Sequence, residues 1–130
     1  DALRNLKVYM ADAVDVFEDC IADASLHRLQ IYFPDPWHKK KHNKRRLIQP
    51  NFIEMIRYKL EIGGMLHLAT DWEPYAEQML EIMEIADGYK NIADHGKYSL
   101  RPNFRPVTKF ESRGMRLGHG VWDLLYTRIS

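Results

Sequence analysis

Short apolar runs and apolar residues spaced by three or four alternate along the chain, the pattern of strands and helices in turn. Leu6–Ala11 (LKVYMA) predicts a first strand that ends at Asp12. Val14, Phe17 and Ile21 recur at helical intervals and predict a helix over Ala13–Ile21. His27–Phe33 (HRLQIYF) predicts the next strand, stopped by Pro34 and Pro36. Pro50 suits the first turn of a helix whose apolar stripe is Phe52, Ile53, Ile56 and Leu60, with Gly63-Gly64 expected to end it. Met65–Ala69 (MLHLA) then reads as a buried strand. Trp72, Tyr75, Ala76, Met79, Leu80, Met83 and Ala86 mark the clearest amphipathic helix, closed by Gly88. Beyond it, Tyr89–Ile92 predicts a short strand and residues 96–107 an irregular stretch. Thr108–Arg113 predicts one or two helical turns ended by Gly114, and Val121–Ile129 (VWDLLYTRI) a last strand.

Strands alternating with helices imply βαβ units, so the expected fold is α/β with a mainly parallel sheet. No internal repeat, low-complexity tract or linker divides residues 1–130, which are expected to form a single domain. In such sheets ligands sit beyond the carboxyl ends of the strands. Three predicted strand ends each deliver an aspartate there: Asp12, Asp35 and Asp71. That row is the first candidate site.

Composition narrows the partner. The chain is 45% hydrophobic, enough for a core, and its formal net charge is +1. Residues 39–46 (KKKHNKRR) hold six of the 19 Lys+Arg; without those six the net charge of +1 becomes −5. One basic patch on an acidic body fits an anionic partner that docks at one place. The single Cys20 excludes an intrachain disulfide and points to a reducing compartment, the cytoplasm. No apolar stretch approaches the ~18–20 residues of a membrane span. The N-terminus shows neither Met nor a signal-peptide pattern, so the chain is expected to be part of a longer protein.

The segment IYFPDPWHKKKHNKRR, residues 31–46, is the densest in chemistry. Proline fixes φ and disfavours a helical residue before it, so Asp35 is held at a rigid strand end beside Trp37. A carboxylate, an aromatic ring and a cationic run can together hold a nucleobase and its phosphates. A turn aspartate, a packed tryptophan and a solvated charge run are the plainer alternative.

FPDPWHKKKHNKRR, HLATDWEPYAEQML, RPVTKFESRG and LGHGVWDL together resemble the bacterial tRNA (guanine-N7)-methyltransferase family over nearly the whole chain. The resemblance implies a Rossmann-like, class I S-adenosylmethionine-dependent fold, S-adenosylmethionine as cofactor and the variable loop of tRNA as substrate. Carried over by position, Asp12 matches a cofactor-binding acid, and Asp35 the acid at both cofactor and reacting base. Lys39 and Asp71 match substrate contacts, and Thr108, Lys109, Phe110 and Glu111 the guanosine-binding stretch. Lys41, His42, Asn43, Lys44, Arg45 and Arg46 match the RNA-contacting segment. In one respect the chain departs from the pattern. The Gly-rich loop after a first strand and the acid after a second are absent, so the fold is expected to be truncated at the N-terminus. Gly118-His119-Gly120 is no substitute, because a strand follows it and a third glycine is missing.

The residue types suit the reaction. Guanine N7 already carries a lone pair, so methyl transfer to it needs positioning and a field that tolerates positive charge, not a strong base. Two of the matches have a second reading. Thr70-Asp71-Trp72-Glu73 and Thr108-Lys109-Phe110-Glu111 are both capping-box patterns. A metal is not expected: His38 and His42 lie in a Lys-rich run, and His67 reads as a satisfied core histidine. Two rivals stand beside the enzyme, a non-catalytic tRNA-binding module and an exocyclic-amine methyltransferase. The second is disfavoured because no second proline directly follows Pro34.

Overall fold

The computed structural model describes residues 5–8, 21–100 and 120–130. Five strands form one sheet: β1 (Asn5–Val8), β2 (Leu26–Tyr32), β3 (Leu60–Thr70), β4 (Tyr89–Asn91) and β5 (Trp122–Arg128), in the order β1-β2-β3-β5-β4. Among the described residues two α-helices, α1 (Pro50–Lys59) and α2 (Glu73–Ile85), lie between β2 and β3 and between β3 and β4. The α/β class expected from the alternation is observed. β1, β2 and β3 run parallel, whereas β5 is antiparallel to both β3 and β4. Four of these five strands thus point the same way, so the sheet is mainly parallel in direction, as expected, with β5 alone reversed among the described strands. A strand's residue pattern has a period of two in either direction, so pattern cannot encode strand direction.

Register sorts the side chains into two faces. Leu29 pairs Leu66 and Ile31 pairs Leu68, and across the antiparallel seam these meet Tyr126 and Leu124. That face forms one apolar core with Ile53 and Ile56 of α1 and Tyr75 and Met79 of α2. The other face carries the buried polar side chains Gln30, His67 and Asp123 and the buried Tyr32, whose hydroxyl bonds His67, beside Ala69 and Leu125. The apolar face anchors the helices, and the polar face ties the strands to one another.

The Gly63-Gly64 pair does not end α1. The helix stops at Lys59, Leu60 already belongs to β3, and both glycines lie within that strand. Pairing jumps from Leu26↔Leu60 to Arg28↔Met65, so residues 61–64 bulge out of the ladder. Gly63 has φ +84°, and a Cβ on Gly64 would lie 2.9 Å from the Glu61 carbonyl oxygen and 3.0 Å from that of Leu26. Glycine is needed here for a bulge, not for a helix cap. Among the described residues no helix is long and apolar enough to cross a membrane.

Candidate functional site

The site begins where β2 ends. The Phe33 N–H still donates to the Ala69 carbonyl at 2.8 Å, but its φ of +54° turns the chain out of the strand. Pro34 is buried, and Asp35 emerges exposed. Its Oδ1 accepts the Trp37 N–H at 2.9 Å, an Asx turn closed by the side chain itself. Trp37 also has a left-handed φ, +43°. Two non-glycine residues in that region within five positions constitute local strain, which persists only where surroundings over-determine it.

Asp71 leaves the neighbouring strand at the same end. Tyr32 pairs Ala69 in the parallel ladder, so Asp35 and Asp71 follow the carboxyl ends of adjacent strands. Asp12, the third acid of the expected row, lies outside the described residues. The capping box at 70–73 does not form. Thr70 accepts the Trp72 N–H at 3.2 Å from within the strand end, while Trp72 itself is the N-cap and no side chain caps the helix. A capping box needs its Glu at the third helical position, and Glu73 is the first. Asp71 therefore has no capping task. The His38 ring stands edge-on to Trp72 at 4.3 Å and links the two strand ends.

The basic run is more ordered than a solvated loop. Lys40–Arg45 form a 3-10 helix, with Lys39 before it in extended conformation. Lys39, Lys40, Lys41, Lys44 and Arg45 are exposed, while His42 and Asn43 are half-buried. Arg45 places its guanidinium 5.2 Å from the centre of the Trp37 ring, and the His42 ring lies 5.8 Å from it. Arg46 departs from the expectation of an RNA contact, being 4% exposed and turned inward. Its Nε donates to the Pro36 carbonyl and its Nη1 to Gln78 Oε1, each at 2.6 Å. The guanidinium also lies 4.8 Å from the Tyr75 ring. Burial lowers its pKa and pushes that of Tyr75 up to about 12.

A second buried group was only half legible. His67, fully buried, places Nδ1 3.0 Å from Tyr32 Oη and Nε2 2.6 Å from Asp123 Oδ1. A satisfied core histidine was expected, but its partners, on β2 and β5, are distant in sequence. Among the described residues no group of three or more His, Cys, Asp or Glu could hold a metal. Thr108, Lys109, Phe110 and Glu111 lie outside the described residues.

Residues 1–124 match the sequence model of a family described as "Putative methyltransferase". The chain belongs to this methyltransferase family. It is 61% identical over 98% of its length to a tRNA (guanine-N(7)-)-methyltransferase of Stutzerimonas stutzeri, covering 53% of that protein. It is 63% identical over 98% of its length to the protein of the same name from Pseudoalteromonas atlantica, covering 54% of it. The chain thus spans about half the length of the curated relatives it matches. A SAM-dependent O-methyltransferase from Thermotoga maritima aligns with 89% of this chain and 38% of its own, at 16% identity and a TM-score of 0.46.

The donor set fits the methyl donor such a family implies. S-adenosylmethionine carries a cationic sulfonium, and Asp35 offers an exposed carboxylate at a strand's carboxyl end, fixed by a backbone N–H.

Proposed function

We propose that the whole protein transfers a methyl group from S-adenosylmethionine to N7 of a guanosine in the tRNA variable loop. One observation carries this reading. Asp35 and Asp71 leave the same end of adjacent parallel strands, and a turn of exposed cations follows directly on the first. Bound S-adenosylmethionine supplies an electrophilic methyl group, with Asp35 and Asp12 as the residues to hold it. Asp35 keeps a carboxylate beside the purine as positive charge moves onto the ring, and the Trp37 N–H fixes its direction in advance. No side chain need remove a proton, because N7 attacks with its own lone pair. Lys39 and Asp71 hold the guanosine in line, and Thr108 to Glu111 read its edge. Lys41, His42, Asn43, Lys44 and Arg45 lie along the RNA backbone, where phosphate contacts position without reading sequence.

The decisive experiment offers the whole protein and S-adenosylmethionine two tRNA transcripts, one normal and one with 7-deazaguanosine in the variable loop. Methylation of the first and none of the second is expected, since the deaza base lacks the accepting nitrogen. Binding without transfer to either would leave a non-catalytic module. Equal transfer to both would place the methyl group elsewhere, on an exocyclic amine.

A further inference from the structure

The last cation of the basic run does not behave like the others. Arg46 is a buried guanidinium whose hydrogen-bond acceptors are both neutral, the Pro36 carbonyl and the Gln78 side chain. Burying a charge against neutral partners is costly, and its persistence calls for a task. The task is visible in one peptide unit. The Pro36 carbonyl that receives Arg46 Nε at 2.6 Å belongs to the same amide whose N–H, on Trp37, donates to Asp35 Oδ1 at 2.9 Å. The amide plane is rigid, so fixing its oxygen fixes the direction of its hydrogen. The other arm of the guanidinium reaches Gln78 on α2, the helix that starts just after Asp71, and its face rests on Tyr75. The Tyr75 hydroxyl in turn accepts the Ile48 N–H at 3.0 Å and holds the chain that leaves Arg46. The Asp35 turn, the segment after the cationic run and α2 are thereby joined at one side chain. The left-handed φ of Trp37, +43°, is the strain this clamp sustains.

We infer that Arg46 is a positioning residue for Asp35, holding the peptide plane that aims the carboxylate, and is not a phosphate contact. The inference rests on the reading of Asp35 as the carboxylate at the reacting base. Arg46→Lys keeps a cation but loses the planar fork that bonds two acceptors at once. In the whole protein its single-turnover rate is expected to fall about 10–100-fold, the scale of an ångström-sized misplacement. tRNA affinity and the slope of log K against log[salt] stay at their wild-type values, whereas Arg45→Ala flattens that slope.

In an Asp35→Asn background the same change should cost almost nothing more, because residues that act through one another are not additive. A flattened salt slope for Arg46→Lys would make it a phosphate contact, and a full additional loss in the Asp35→Asn background would make it purely structural. Either result overturns the inference. Should Arg46→Lys fail to fold, Gln78→Leu removes only the outer arm and is read in the same cycle, with the same two outcomes deciding. Normal turnover by Asp35→Asn would sink the reading of Asp35 itself. An impaired Asp35→Asn beside a normal Arg46→Lys would sink only this inference.

Discussion

The two ends of the parallel strands are built on opposite principles. At the end where β3 begins, charges are paired off. His27 meets Glu61 at 2.6 Å, Arg57 meets Glu54 at 2.6 Å, Lys59 meets Asp23 at 3.1 Å, and Arg128 donates to the Leu60 carbonyl at 2.5 Å. At the carboxyl end, Asp35 and the cations of residues 39–45 form no ion pair among the described residues, and the backbone carries two left-handed non-glycine residues, Phe33 and Trp37, against one, Ala24, at the other end. A surface that satisfies its charges internally has little left to offer a ligand. One that leaves them open, on a strained but clamped turn, has field and direction to spare for a cation and for phosphates.

The contrast is broken most decisively at Asp35. Asp35→Asn in the whole protein is expected to lower turnover by roughly 10²–10³ with tRNA affinity unchanged, the usual cost of losing one preorganised interaction. Steady-state assays that separate kcat from the tRNA Kd check it, and near-normal kcat would return Asp35 to the status of a turn residue.

Next in size is the polar network that joins the strands between the two ends. His67→Leu removes the buried group that bonds both the Asp123 carboxyl and the Tyr32 hydroxyl across three strands, and should cost about 3 kcal/mol in urea unfolding. A change below about 0.5 kcal/mol would show that the network contributes little.

Gly64→Ala attacks the paired end through its backbone. The new Cβ would meet two carbonyl oxygens at 3.0 Å or less, so a loss of about 1–3 kcal/mol in thermal melts is expected, with tRNA binding by the folded fraction unaffected. Weakened tRNA binding would mean that the two ends are not independent.

Lys44→Ala with Arg45→Ala addresses the open end at two exposed cations. Each lost phosphate contact should flatten the log K versus log[salt] slope by up to ~0.9. Titrations at several salt concentrations measure this, and an unchanged slope would reduce the run to a solvated face.

The smallest effect concerns Glu84, away from both ends. Burial opposes its ionisation, but hydrogen bonds from Asn91 and the Gly96 N–H, with His95 3.1 Å away, outweigh that and hold its pKa below the ordinary value. A carboxyl depressed in the folded state stabilises fully above its unfolded pKa of about 4.5 and loses that contribution as pH falls through its folded value. Glu84→Gln should therefore lower stability at neutral pH by about 1 kcal/mol or less, and the gap from wild type should close in acid. A gap that widens below pH 4.5 would contradict the direction of the shift.

By itself the sequence determined the order and kind of the described strands and α-helices, while the helices expected over Ala13–Ile21 and Thr108–Arg113 lie outside the described residues. Strand and helix periods place β2, α2 and β5 to within a residue or two. Pro-Asp-Pro-Trp marks the end of β2, since proline geometry is local and needs no tertiary partner. Only the tertiary structure decided what each charge does. Lys44, Arg45 and Arg46 are three adjacent cations in one run, and nothing in the neighbouring letters tells which of them turns inward. The outward pair and the inward clamp differ because α2 brings Gln78 and Tyr75 over the third of them, 32 and 29 positions away in sequence. The same holds at Thr70, whose capping pattern is overruled by where β3 releases the chain, and at Gly64, whose role depends on the carbonyls of Leu26 and Glu61 standing close by. His67 could be read as buried from its apolar neighbours, but its acid partner lies 56 residues further on, across an antiparallel seam whose direction no residue pattern records. Local geometry is written in neighbouring letters. Burial and pairing are written in distances between residues that only folding brings together.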